Sequence, residues 1–391
     1  MTPIQQMLLA VGGSNYYDAE LFAWGKNDYG QLGQNNRTTY SSPRQISGTI
    51  WSAVGNNTAG SGNQTMIATQ QDGTLWMWGR NQSGSLGQNE GSPSANYSSP
   101  VQVGSGTDWA IEANKCATNN SSAMAIKQDG TLWQWGSALG LNDQTKRSSP
   151  TQIPGTNWSA VAMLGAAAMA VKTDGTAWMM GSSEYGQLGL GHGDSSKSSP
   201  HQLPGTSWTS KISGGGSHFG AIRSDNTLWM WGNGYMGQIG QGNRSRYSSP
   251  KQVPGSWRSI GAGAAASYGI KTNNQMFHWG QNEDGPGGLA INTWNDNKSS
   301  PEQVPGSWGF TGGDYSSVTS DIVGVNYGGF AQKSDGTLWT WGRKRDGLRG
   351  LNSAQFPGYY DGLSSPVQIP GTNWHAVAVT EDAAIAIKIP S

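Results

Sequence analysis

The stretch Asp174-Gly-Thr-Ala-Trp-Met-Met-Gly181, followed by Gly186-Gln-Leu-Gly189 and then by Ser198-Ser-Pro-His-Gln-Leu-Pro-Gly-Thr-Ser-Trp208, spells one unit of a repeat. Its parts return in the same order along the chain. The proline of the Ser-Ser-Pro element stands at Pro43, Pro100, Pro150, Pro200, Pro250, Pro301 and Pro366, at intervals of 57, 50, 50, 50, 51 and 65 residues. A Trp-Gly pair marks the same units at Trp24, Trp78, Trp135, Trp231, Trp279 and Trp341, with Met180 taking the place in the fourth. Two independent markers with one count predict seven units, each too small to bury its apolar faces alone.

Each marker has a mechanical reading. Thr74-Leu75-Trp76-Met77-Trp78 is apolar at both positions of a period-two strand, as expected where neighbours cover both faces of a sheet. Asp72-Gly73, Asp129-Gly130, Asp174-Gly175 and Asp335-Gly336 precede this strand and read as two-residue type I′ hairpins; Asp225-Asn226 and Asn273-Asn274 are tolerated variants. Pro154-Gly155, Pro204-Gly205, Pro254-Gly255, Pro305-Gly306 and Pro370-Gly371 fit type II turns. The Ser-Ser-Pro segment is expected to start a short strand, where a missing amide does least harm. The glutamine two residues behind each repeat proline, Gln45 to Gln368, is read as a half-buried amide serving backbone groups between units.

The two ends of the chain complete one another. The last unit stops after Ala384-Ile385-Ala386-Ile387-Lys388, where a hairpin and a further strand should follow, while Leu21-Phe22-Ala23-Trp24-Gly25 opens the chain with that strand and no hairpin before it. The fold expected is therefore all-β, a single seven-bladed β-propeller over 1–391. It has an N-terminal arm at 1–20, repeats from about 21 to 388, and a ring closed by pairing of the N-terminal strand with the C-terminal strands.

Composition narrows the function. Charged residues are 12% of the chain and balance to a net charge of +0, so the basic footprint of a nucleic-acid binder is missing. The run Met7 to Val11 is too short for a signal peptide or a membrane span. The lone Cys116 reads as a small buried apolar side chain. His192, His201, His218, His278 and His375 fall at unrelated repeat positions, and no nucleophile elbow, phosphate loop or dinucleotide fingerprint occurs. No catalytic, cofactor or metal residue is assigned, and the chain is read as non-enzymatic.

Departures from the repeat are where a ring carries its individual function. Trp308 to Asp335 spans 27 residues against 16 from Trp158 to Asp174, which puts an insertion within Thr311 to Asn326. The candidate partner-binding residues are Asp314 and Tyr315 in that insertion, Trp294 in the sixth unit, the basic group Arg343, Lys344, Arg345 and Arg349, and the aromatics Phe356, Tyr359 and Tyr360. Trp24, Trp78, Trp135, Trp231, Trp279 and Trp341 are assigned to structure.

In its Leu-x-x-Trp-Gly and Gly-Gln-Leu-Gly elements and its Pro-x-x-Val-type strand, from about Leu21 to Lys388, the chain resembles the regulator-of-chromosome-condensation repeat family. The resemblance implies a seven-bladed propeller. It also implies one functional alternative, nucleotide exchange on a small GTPase, although no segment here matches an exchange wedge. The leading expectation from low charge and neutrality is a structural scaffold contacting other proteins in a multi-copy assembly, as in a virion (phage tail, fibre or capsid surface, serving host attachment). A cytoplasmic location is the other expectation, and a surface glycan is a further candidate partner.

Overall fold

The computed structural model describes residues 18–48, 50–55, 62–90, 95–137, 139–191, 195–282, 287–289, 296–309, 321–325, 327–343, 346–352 and 362–389. Among them lie seven antiparallel sheets of four strands each, so the chain is an all-β, seven-bladed propeller. Blades 2 to 7 follow the chain, spanning 51–102, 116–153, 158–202, 208–253, 257–304 and 322–368. Each runs from an inner strand at the ring axis to an outer strand at the perimeter. Blade 1 takes its two inner strands from Trp374–Val379 and Ala383–Lys388 and its two outer strands from Glu20–Gly25 and Tyr40–Ile46.

That closure is the pairing expected from the chain ends. Glu20 faces Lys388 and the register continues unbroken to Gly25 opposite Ala383. Leu21, Ala23, Ile385 and Ile387 are all buried within it, so a slip of one residue would turn this apolar set to the wrong face.

The core lies between blades. Met124, Ile126 and Leu132 of blade 3 pack with Trp158, Val161 and Met180 of blade 4 in one cluster. This is why the third strands are apolar on both faces: in Leu75–Gly79, Leu75, Met77 and Trp78 are buried and Trp76 is half-buried.

Two expectations about the repeat markers change, and a third gains a detail. The Asp-Gly hairpins carry one positive φ, at Gly73 (82°), Gly130 (77°) and Gly175 (77°), not two. Gly73 N–H donates to Gln70 C=O while Gln70 N–H donates to Thr74 C=O, which makes a type I turn closed by a glycine bulge. The Ser-Ser-Pro segment opens the outer strand as expected, for example in Lys197–Gln202, and its proline sits in a bulge: Met179 pairs with His201, but Gly181 pairs with Lys197. An edge strand with a bulge has no ladder bond there for proline to break. The repeat glutamines Gln45, Gln152, Gln202, Gln252, Gln303 and Gln368 are exposed and do not serve buried groups. Instead their carbonyls accept from a different glutamine, as from Gln34 to Gln45 (3.0 Å), Gln88 to Gln102 (3.1 Å) and Gln241 to Gln252 (2.9 Å).

The Gly-Gln-Leu-Gly element and its variants latch one blade to the next at five junctions. The indole N–H of Trp78 reaches across to Gln31 C=O (2.9 Å), Trp135 to Ser85 (2.8 Å), Trp231 to Gln187 (2.9 Å), Trp279 to Gln238 (2.8 Å) and Trp24 to Leu348 (2.8 Å). The second glycine lies on that indole, where a Cβ on Gly33 would stand 3.1 Å from Trp78 Nε1. Beyond the latch, Asn35, Asn89 and Asn352 at positive φ donate their N–H to Ser98, Ser148 and Ser41 of the next outer strand.

Trp78→Ala is expected to destabilise the protein by about 3–5 kcal/mol through cavity formation. Trp78→Phe should lose about 1–3 kcal/mol, since the Gln31 carbonyl is left buried without its donor. Urea unfolding midpoints at neutral pH order the two variants, and equal losses would remove the hydrogen bond from the account.

Candidate interaction surface

The ring has two rims of different construction. One carries the Asp-Gly hairpins and the Pro-Gly turns, and the other carries the latch loops. On the hairpin rim a short relay recurs in five blades. In blade 4, Thr176 donates its N–H (2.9 Å) and hydroxyl (2.7 Å) to Asp174 Oδ1, and its oxygen accepts the indole N–H of Trp178 (3.1 Å). The threonine hydroxyl bonds hold the carboxyls of Asp129, Asp174, Asp225 and Asp335 below the usual carboxylate range.

The relay orients an aromatic pair that brackets a cation. Lys172 Nζ is 4.8 Å from the ring of Trp158 and 5.1 Å from that of Trp178. Arg223 is 4.4 Å from both Trp208 and Trp229, and Lys333 is 4.9 Å from Trp308 and 3.7 Å from Trp339. Lys127, Lys271 and Lys388 repeat the bracket in blades 3, 6 and 1, and blade 2 has Gln70 there. These cations are half-buried and engaged with aromatic faces, an arrangement contributing about 0.5–2 kcal/mol each. The signal was available as a Lys or Arg two residues before the hairpin Asp or Asn in blades 3 to 7, yet nothing local says that it folds over two aromatic rings.

The residues singled out as partner-binding are divided by the structure. Trp294, Asp314, Tyr315, Lys344, Arg345, Phe356, Tyr359 and Tyr360 lie outside the described residues. The flanks of their segments can be placed. Gly309 and Asp321 leave from the hairpin rim, whereas Asn282 with Asp296, and Asn352 with Gly362, leave from the latch rim. The insertion in blade 7 therefore departs from the opposite side to the other two connections. Its length is confined between Gly309 and Asp321, because Ile322–Val325 is the blade's inner strand.

Arg343 and Arg349 are not surface cations. Both are buried, at 8% and 3% exposure. Gly347-Leu348-Arg349-Gly350 is a full-register copy of Gly-Gln-Leu-Gly, so Arg349 fills the slot that buried Leu32, Leu86 and Leu188 hold elsewhere. Its guanidinium donates to Arg343 C=O (2.8 Å), Thr340 Oγ1 (3.2 Å) and Tyr327 C=O (3.3 Å), and burial pushes its pKa down to about 9. Gly328 leaves the space: a Cβ there would stand 2.7 Å from Arg349 Nη2. The asparagine after the latch shows the register better than the basic run did.

Trp24, Trp78, Trp135, Trp231, Trp279 and Trp341 are fully buried. Cys116 is buried, and desolvation pushes its thiol up to about 12. Among the described residues, no three His, Cys, Asp or Glu side chains converge on a metal-sized site, and no helix is long and apolar enough to cross a membrane.

A closed ring of seven four-stranded blades latched through Gly-Gln-Leu-Gly loops defines the class as a repeat-built seven-bladed propeller. Residues 18–56, 72–123, 174–222 and 225–268 match the regulator of chromosome condensation (RCC1) repeat. The ultraviolet-B receptor UVR8 of Arabidopsis thaliana is 30% identical over 285 residues, which cover 69% of this chain and 63% of the receptor. The mitochondrial RCC1 domain-containing protein RUG3 of the same plant is 28% identical over 248 residues, 59% of this chain and 55% of RUG3. The chain thus spans less than two thirds of these relatives. Yeast RCC1 (Prp20), solved bound to Kap60, superposes with a TM-score of 0.79 at 18% identity, over 96% of this chain and 90% of Prp20.

Proposed function

We propose that the chain is a regulatory protein-binding propeller, acting through contacts with partner proteins rather than through bond chemistry. What carries the reading is that the repeated polar and aromatic positions are engaged in holding blades together, which leaves the variable connections as individual surface on a rigid support. Relatives of this architecture support it: Prp20 was solved with Kap60 and is described with binding properties towards Gsp1p and histones. The virion role expected from neutrality has no support from relatives that come from a plant and from yeast, and a cellular setting takes its place in this proposal. Exchange on a small GTPase is the second reading, favoured by the family resemblance alone.

Cross-linking of the full chain in extract from its own source, read by mass spectrometry, is expected to join one protein to the long connections of blades 6 and 7. Cross-links spread evenly around the ring, or none above a scrambled control, would overturn the reading. Release of a fluorescent GDP analogue from small GTPases, unchanged by the chain, would remove the second.

A further inference from the structure

One junction of the ring is built differently from the rest. Gly136 and Pro150 are 14 positions apart, whereas Gly25 to Pro43 and Gly232 to Pro250 span 18 and Gly181 to Pro200 spans 19. Blade 3 therefore lacks four residues of its latch loop. At five other junctions the first glycine of the latch sits directly on the next outer strand. A Cβ on Gly30 would stand 2.5 Å from Ser98 Cα, one on Gly84 2.8 Å from Ser148 Cα, and one on Gly186 2.8 Å from Ser248 Cα. Gly237 over Ser299 and Gly347 over Ser41 repeat the contact. Ser198 is the matching residue of blade 4, and the glycine of the shortened loop, Gly140, lies against Met180 and Ile153 instead.

The space left by the four residues is a cleft of 390 Å³ between blades 3 and 4 on the latch rim, bounded by Asn119, Ser122, Ser137, Ser182 and Ser198. The junction beneath it stays closed. Asn142 N–H donates to Ser198 C=O (2.6 Å) and Asn119 Nδ2 to Leu164 C=O (3.2 Å). The indole that would fill the latch is also replaced, because Met180 stands where the other blades carry tryptophan, and Gly140 packs against its sulfur. A shortened loop and a smaller core residue thus occur together, and the cleft rests on rigid strands.

We propose that this cleft is a docking slot for a glycine-containing turn of a partner protein, which takes the place that the chain's own latch residues occupy at the other junctions. The occupant is defined by the molecule itself. At the other junctions the equivalent serine receives a backbone turn, as from Asn27-Asp-Tyr-Gly-Gln31, with glycine against the serine Cα, and here Ser137, Ser182 and Ser198 border the vacant space with hydroxyls suited to backbone N–H and C=O groups. A side chain on that glycine could not approach so closely. The proposal rests on the protein-binding reading above and names the place and the chemistry of one contact.

The probe is a cyclic peptide carrying Asn-Asp-Tyr-Gly-Gln, the sequence of Asn27 to Gln31, cyclised to hold the turn. Fluorescence polarisation is expected to show saturable binding to the full chain, weakened at least about tenfold when the peptide's glycine is replaced by valine. A filled variant, with Gln-Ser-Gly-Ser inserted after Ser137 together with Met180→Trp, should lose binding to a similar degree. Ser198→Trp blocks the cleft from an exposed position and keeps the test open if the filled variant does not fold. Equal binding by the blocked or filled protein, tolerance of valine, absence of binding to the unaltered chain, or displacement of the peptide by simple sugars would each overturn the slot. The cross-linking partner distinguishes the two levels. If it is retained by Ser198→Trp while the peptide fails to bind, the slot is wrong and the protein-binding reading stands.

Discussion

A chain ending at Ala383 is expected to lose its fold in one cooperative step, not merely to fray at one blade. The missing segment pairs with two strands at once, Trp374–Val379 on one side and Glu20–Gly25 on the other, and its Ala384, Ile385, Ala386 and Ile387 are completely or almost completely buried. Burying each isoleucine contributes about 1.5–3 kcal/mol, and removal also exposes the ladder edges of both neighbours. The loss exceeds about 5 kcal/mol, comparable with the whole stability of an ordinary domain at about 5–15 kcal/mol. Far-ultraviolet circular dichroism on heating, together with size-exclusion elution, provides the check. A truncated protein that melts like the full chain would place closure somewhere other than blade 1.

Acid should unfold the ring well above the range in which carboxylates titrate. Burial lowers the pKa of His218 to about 4, of His278 to about 3 and of His375 to about 4, so all three are neutral in the folded protein at pH 6. Unfolded, each returns to its ordinary value near 6.5. The unfolded chain therefore binds more protons below that value, and the stability these groups permit is complete above pH 6.5. It is lost as pH falls towards 4, at up to about 1.4 kcal/mol per pH unit for each histidine. The aspartates of the hairpin relay act in the same direction but only below the ordinary carboxylate value, which leaves the window from 6.5 to 4 to the histidines. Urea midpoints measured from pH 7.5 to 4.5 should fall steeply. A flat profile in the native chain would show that the buried rings take up protons without penalty.

How much of this was legible depends on the distance over which each feature acts. The blade count was legible because Ser-Ser-Pro, Trp-Gly and Pro-Gly are local devices, each setting a turn or strand within a few residues of itself. Glycines at φ of 93° to 117° in Gly205, Gly255, Gly306 and Gly371 show the Pro-Gly reading acting as local chemistry. The hairpin type was misread because the Asp-Gly pair is compatible with two loop lengths, and the choice rests on which carbonyls the Gly73 and Gln70 N–H groups reach. Gln45 and its counterparts looked like interior amides because they recur, yet recurrence at an edge strand is equally served by an exposed side chain. Arg349 looked like part of a basic surface because it follows Arg343, Lys344 and Arg345. In three dimensions it sits in a leucine slot opened by Gly328, a residue 21 positions earlier.

From the sequence alone came an all-β ring of seven blades, its closure through Leu21–Gly25 and Ala384–Lys388, and the burial of the six repeat tryptophans, because alternation, turn chemistry and an unpaired strand at each end are written along the chain. Tertiary structure alone decided what holds one blade to the next and where a cleft enters the latch rim. The indole of Trp231 meets a carbonyl 44 residues away, and the cleft beside Ser198 exists through four residues absent from a different blade. Contacts between distant repeats depend on how the ring brings them together, and no local pattern in either repeat specifies that meeting.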